Sequence, residues 1–330
     1  MTKSPHIVEL TPGDIEIFKT LVNQITTSPS EYPNLFCSEC KHASHNIPHY
    51  ITRILHQFVK SGTDTGFLLI KNFPVDDSAI PPTPSVSNYC NKIGETTTLA
   101  RVQCILLMVI SEMIAYEAEG DGRIFQDVVP IQSMETQQTS LSSNVELEIH
   151  TEQAFSQLRP DILSLACLRG DPNAYTYVLP VHTILDNVTS FERKMLSIPL
   201  WKTGVDLSFK LHNSEFIDGN VRGPLPIIYG SESDPFLLFD QDLMSGTTQR
   251  ANTLIQDICN IYYKNRVEYS LEPGDIILID NRRAVHGRSS YSPKYDGTDR
   301  FLIRCFSTLD YDKSDYARKE GSRIISAIYS

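Results

Sequence analysis

The chain has 330 residues, 41% of them hydrophobic and 21% charged, with a formal net charge of −11. This is the make-up of an ordinary globular protein, long enough for one large domain or two smaller ones, and not that of a disordered chain. The acidic balance and the lack of a long Lys/Arg run make nucleic acid and anionic membranes poor partners, while a cationic small molecule would suit the field.

Met1 to Glu9 lacks the apolar stretch of a secretory signal. Thr11, Pro12 and Asp14 then supply an N-cap, a first-turn proline and a capping-box carboxylate, and Ile15, Phe18, Leu21 and Val22 recur at helical spacing. Cys37, Cys40, His42, His45 and His49 crowd into thirteen residues. A CxxC with nearby histidines can bind zinc, but no second CxxC completes a finger, and a His-rich loop is the expectation. A second helix is expected near Ile47 to Val59, with Ile51, Ile54, Leu55 and Phe58 on one stripe. Gly66 to Ile70 reads as a buried strand, Ala79 to Ser87 as a Pro-rich loop, and Thr97 to Glu117 as a long helix. Its apolar part, from Cys104 to Tyr116, is interrupted by Ser111 and Glu112 and is too short to cross a bilayer. Seven widely spread cysteines suit reduced thiols better than a disulfide framework, which makes the cytoplasm the expected compartment.

Beyond this point the texture becomes short β-type runs separated by Gly, Pro, Asn and Asp. Strands are predicted near Val145–Ile149, Leu163–Leu168, Tyr175–Val178, Pro226–Ile228, Phe236–Phe239, Asp275–Ile279 and Phe301–Phe306, with helical insertions near Val188–Leu196 and Ala251–Tyr263. Many short strands preceded by helices point to a β-sandwich or jelly roll buttressed by helices. His56 and His182 sit in apolar patterns and read as packed or surface histidines.

The chemistry centres on His150-Thr151-Glu152, at the end of the run VELEI. Alternate side chains of an extended segment share a face, so His150 and Glu152 project together. An imidazole and a carboxylate are two of the three ligands of the facial triad in non-haem iron(II) oxygenases, although an isolated His-x-Glu is ordinarily a solvated pair. His286, after the apolar strand GDIILID and beside Gly287, is the candidate third ligand. Fourteen residues later, Arg300, Leu302 and Arg304 share one strand face, the two arginine Cα atoms roughly 13 Å apart. Arginine on a core-facing strand is costly unless it meets an anion, and its fork binds carboxylates in a bidentate manner. Asp240 and Asp242 likewise point to one side of a strand, where two anions favour a cation between them.

HTEQAF (150–155), DNRRAVHGR (280–288) and the arginine that follows resemble the clavaminate-synthase-like branch of the iron(II)- and 2-oxoglutarate-dependent oxygenases, which uses Glu where most relatives use Asp. The likeness extends to the bacterial free L-lysine 3- and 4-hydroxylases through MIAYEAEG (113–120), FQDVVP (125–130), LSLACLRGDP (163–172), DPFLLFDQDLM (234–244) and LIDNRRAVHGRSSYSPKYDG (278–297). It covers about Gly66 to the C-terminus.

The resemblance implies an α+β fold, a double-stranded β-helix (jelly roll) core with flanking helices. A single oxygenase domain would occupy 1–330, mainly helical over 1–65, with the jelly roll and helical insertions over 66–330. His150, Glu152 and His286 would bind Fe(II); Arg300, with Thr176, would hold 2-oxoglutarate; O₂ would be the oxidant. Arg304, Glu119 and Ser140 would take the α-carboxylate and α-amino end of the substrate, and Asp240 and Asp242 its far end. The implied reaction hydroxylates a mid-chain carbon of free L-lysine, C4 or C3 with a slight preference for C4, giving succinate and CO₂. Arginine is the runner-up, since the same aspartates suit a guanidinium, and no oligomeric state is assigned. A zinc hydrolase is a rival reading of two histidines and a glutamate but leaves the arginines unexplained. A non-catalytic jelly-roll binder is the other rival.

Overall fold

The computed structural model describes residues 6–75, 79–84, 92–207, 209 and 216–329. Its first helix, Pro12–Val22, starts at the expected cap: Asp14 N–H donates to Thr11 Oγ1 at 3.3 Å and Thr11 N–H donates to the Asp14 carboxylate at 2.9 Å. The helix His49–Ser61 buries Ile51, Leu55 and Phe58. Residues 85–87 of the expected Pro-rich loop lie outside the described residues.

The Cys/His-rich stretch is mostly helix rather than loop: Cys37, Cys40 and His42 lie on the helix Pro33–Ser44, which buries Phe36, Cys37, Cys40 and Ala43 along one stripe, while His45 caps its end and His49 opens the next helix. Cysteine acts there as a small apolar side chain. The long helix to Glu117 stops early: Thr98–Met108 is helical, and Glu112–Tyr116 is a strand paired antiparallel with Phe301–Thr308. The apolar run continues across both, so periodicity alone does not reveal the change.

The larger sheet has eight strands. Its path runs Ile7–Glu9, Phe67–Lys71, Ile276–Asp280, Ile162–Arg169, Phe301–Thr308, Glu112–Tyr116 and Ile324–Ile325, with Gln126–Val128 also on Phe301–Thr308. A four-stranded antiparallel sheet runs Val267–Ser270, Tyr175–Pro180, Ala284–Arg288 and Leu147–His150. The predicted strand near Pro226–Ile228 is displaced, because strands occupy Val221–Leu225 and Ile228–Ser231. These sheets and helices make the jelly-roll α+β architecture.

Period-two alternation divides the large sheet between two cores. Leu68, Ile70, Ala166, Ile276, Leu278, Ile303 and Cys305 pack against the first four helices. Their neighbours Phe67, Leu69, Leu165, Ile277, Ile279, Leu302 and Phe306 face the space between the sheets. Beyond the small sheet, Ile149, Leu179 and Val285 pack on the helix Gln249–Asn265 and on Trp201. Covering both faces explains why Ile162–Arg169 is buried through Leu168. Each such apolar side chain contributes about 1.5–3 kcal/mol of burial. The space left between the sheets at one end of this arrangement forms the cavity. Among the described residues no helix is long and apolar enough to cross a membrane.

Candidate metal centre and substrate cavity

The four-stranded sheet sets the centre by register. His286 stands opposite His150 on one neighbour and Val178 on the other. Its ring and that of His150 lie 4.5 Å apart between centroids. Two residues past the end of its strand, Glu152 turns inward, followed by Gln153 at φ 51°. Glu152 N–H donates to Asn281 Oδ1 at 2.7 Å, and Asn281 Nδ2 donates to Glu152 O at 3.2 Å and Pro160 O at 2.8 Å. Asn281 thus clamps the backbone of Glu152 from a segment 129 residues away.

One ligand atom from each of His150, Glu152 and His286 lies within 4.8 Å of the other two. The chemistry of the donors fits a divalent ion. His150 Nδ1 lies 2.8 Å from the Glu148 carbonyl, which can only accept, so Nδ1 is the donor and Nε2 is the nitrogen left to ligate a metal. Burial, then the neighbouring His150, holds His286 below the usual imidazole range and keeps it neutral. Burial would raise Glu152, but the hydrogen bond to His286 and the charge of Arg304 outweigh it and hold the carboxyl at about 2. Two imidazoles and one carboxylate are the donor set of a facial triad.

The triad opens into a cavity of about 780 Å³ that is also lined by Thr176, Arg288, Arg300, Arg304, Glu119 and Ser140. Arg300, Leu302 and Arg304 all reach it, as the alternation predicts. Arg300 and Thr176 are buried, at 5% and 3% exposure. Arg304 donates through Nη2 to Glu119 Oε1 at 2.5 Å and through Nε to Gln126 Oε1 at 3.0 Å, and its Nη1 lies 3.6 Å from Glu152 Oε1. Gln153 Nε2 holds the other Glu119 oxygen at 3.1 Å. Burial raises Glu119, and Arg304 opposes that rise.

Asp240 and Asp242 line the same cavity. Asp240 pairs through its backbone with His150, and its Oδ1 accepts from Leu243 N–H at 2.8 Å. Sequence reasoning missed two further acids of the lining, Glu148 and Asp206. The first was legible, since Glu148 lies two residues before His150 on one strand face. Asp206 follows the strand Trp201–Gly204 in an irregular segment and carries no periodic signal. Burial and then the charges of Asp240, Glu119 and Glu152 push its carboxyl well above the ordinary range. Glu148 is raised by burial and then by Asp242 and Asp240.

The His-rich stretch forms no comparable centre. Cys37 and Cys40 are buried, His42, His45 and His49 are exposed, and the triad is the only cluster of metal-binding geometry found among the described residues.

Comparison with known proteins places this geometry. Residues 224–306 match the family described as taurine catabolism dioxygenase TauD, TfdA family. The chain is 43% identical to an L-lysine 3-hydroxylase of Catenulispora acidiphila, over 98% of this chain and 90% of the relative. An L-lysine 4-hydroxylase of Flavobacterium sp. is 26% identical over 92% of this chain and 83% of its own length. The crystal structure of an asparagine oxygenase in complex with Fe(II), (2S,3S)-3-hydroxyasparagine and succinate superposes with a TM-score of 0.89 at 30% identity, covering 98% of this chain and 99% of the other.

Proposed function

The chain belongs to the TauD/TfdA family of iron(II)- and 2-oxoglutarate-dependent oxygenases, and from that premise we propose that it hydroxylates free L-lysine at C3. One observation carries the substrate: a single cavity joins the His150–Glu152–His286 triad to three buried arginines, Arg288, Arg300 and Arg304, and to five further acids, Glu119, Glu148, Asp206, Asp240 and Asp242. An amino acid with a cationic side chain matches that inventory. The sequence preference for C4 gives way to C3 because the relative with 43% identity acts at C3 and the asparagine oxygenase complex holds a 3-hydroxy product.

His150, Glu152 and His286 would hold the iron, whose chemistry, with 2-oxoglutarate and O₂, couples decarboxylation to succinate and CO₂ with replacement of a substrate C–H by C–OH. The protein's part is binding, orientation and exclusion of water. The Glu148 carbonyl fixes the His150 ring, and Asn281 fixes Glu152. Arg300 and Thr176 receive the distal carboxylate of 2-oxoglutarate. Arg304 receives the α-carboxylate of lysine, and Glu119 and Ser140 its α-amino group. Asp240 and Asp242, with Asp206, take the ε-ammonium. The methylenes then pass the apolar wall of Val128, Leu147, Leu163, Leu165 and Leu302, which keeps water from the reacting carbon.

The test is a panel of the twenty amino acids scored by succinate release with Fe(II), 2-oxoglutarate and O₂, followed by NMR of the best product. Lysine should give the highest turnover and 3-hydroxylysine the product. Turnover with arginine but not lysine would move the reading to a guanidinium substrate. Hydrolytic activity independent of 2-oxoglutarate would revive the zinc enzyme, and no succinate from folded, iron-loaded protein would favour the binder.

A further inference from the structure

Arg288 is the second residue after His286 on the strand Ala284–Arg288, so the two side chains leave the same face. Its register partner on the adjacent strand is Thr176. The side chain is 5% exposed and lines the cavity. Nη2 donates to Ser142 Oγ at 2.8 Å and to Val145 O at 3.3 Å. Nε and Nη1 are buried and have no hydrogen-bond partner among the described residues. Glu146, whose field reaches Arg288, is already held by Arg266 at 2.8 Å.

Arg300 stands nearby. Both guanidinium carbons face the ring of Tyr291, Arg288 at 5.1 Å and Arg300 at 5.9 Å. Two buried like charges around one ring repel each other, and a buried cation with neutral partners alone is unfavourable. Pinning the loop through Ser142 and Val145 uses one nitrogen of Arg288 and leaves two nitrogens, with three N–H donors, over. Such donors on a planar fork match a carboxylate.

We propose that Arg288 is a second guanidinium for the distal carboxylate of 2-oxoglutarate, completing with Arg300 and Thr176 a three-sided cradle. The inference rests on the reading of Arg300 and Thr176 as the 2-oxoglutarate site. It explains why a buried arginine without a carboxylate partner stands across from Thr176: the cosubstrate brings the missing charge.

The test compares two ligands that differ only at the distal end. Anaerobic, Fe(II)-loaded protein is titrated in a calorimeter with 2-oxoglutarate and with 2-oxopentanoate, which ends in a methyl group. The parent should prefer 2-oxoglutarate strongly. Arg288→Met should weaken 2-oxoglutarate roughly tenfold to a hundredfold, the range for a hydrogen bond to a charged group, and leave 2-oxopentanoate nearly unchanged. Ser142→Ala, which releases only the loop contact, should preserve the preference. Equal weakening of both ligands by Arg288→Met, no weakening of either, or an equal loss of preference in Ser142→Ala would overturn the proposal. If Arg288→Met does not fold, Arg288→Lys decides in its place: it keeps the charge without the fork, so a reduced preference supports the proposal and an unchanged one overturns it. Arg300→Met separates the two levels. If that variant also keeps the parent's preference, the cosubstrate reading itself falls; if it loses the preference while Arg288→Met does not, only the role of Arg288 falls.

Discussion

Asn281 holds Glu152 by both faces of its amide, accepting from Glu152 N–H at 2.7 Å and donating to Glu152 O at 3.2 Å. Glu152 lies beyond its strand, where no ladder bond fixes the backbone, so this side chain takes the place of a ladder. Asn281→Ala should lower iron(II) affinity by about 10- to 100-fold, the usual cost of removing a group that orients a ligand. Metal titration of the folded variant measures it, and excess iron should restore much of the turnover. An unchanged affinity would show that Glu152 needs no such support.

Gly287, between His286 and Arg288, is held by sterics. A Cβ there would lie 2.6 Å from Leu147 O and 2.8 Å from the Tyr262 hydroxyl. Leu147 O is backbone of the adjacent strand, so Gly287→Ala must part the pair that sets His286 opposite His150. Denaturant unfolding should show a loss of about 1–3 kcal/mol, with iron binding weakened as well. Parent-like stability and iron content would contradict the register argument.

Glu119 stands against Arg304 at 2.5 Å. If the pair receives the α-amino and α-carboxylate groups, Glu119→Gln should raise KM for lysine tenfold or more, since a hydrogen bond to a charged group contributes about 1.5–3 kcal/mol. KM for 2-oxoglutarate should stay within about twofold, because the Glu119 carboxylate is held by Arg304 and Gln153 and not, among the described residues, by Arg300. Steady-state kinetics with each substrate varied in turn decides it.

Asp206 gives a pH dependence with a definite sign. Its carboxyl is raised by burial and by neighbouring acids, so the free protein tends to keep it protonated. A bound ammonium favours the ionised form and lowers it. Lysine binding should therefore release a proton, and affinity should rise with pH until the raised free-protein value is passed. Calorimetry in buffers of different ionisation enthalpy measures the release, and Asp206→Asn should reduce it and weaken lysine binding. Proton uptake would contradict the assignment.

Much of this centre was legible because its signals are local. Alternation placed Arg300, Leu302 and Arg304 on one face, and the Thr11 capping box marked the first helix; His150 and Glu152 do meet, but Glu152 lies past the strand end and is positioned by Asn281 rather than by alternation. What stayed hidden depended on register and chain return. Asn281 reaches Glu152, Arg288 faces Thr176 and Asp206 enters the cavity only once distant segments meet. The helix Pro33–Ser44 was obscured differently: Cys37 and Cys40 were grouped with the nearby histidines as a loop, and their part in the apolar stripe with Phe36 and Ala43 was overlooked.

The central claim is that one iron ion, one 2-oxo acid and one free lysine react in this cavity. The most direct measurement is the fate of ¹⁸O₂ during turnover with lysine, read by mass spectrometry of both products. One labelled oxygen in succinate and one in hydroxylysine, formed in equal amounts, is the predicted result. Unlabelled hydroxylysine, or labelled succinate with lysine unchanged, would contradict it.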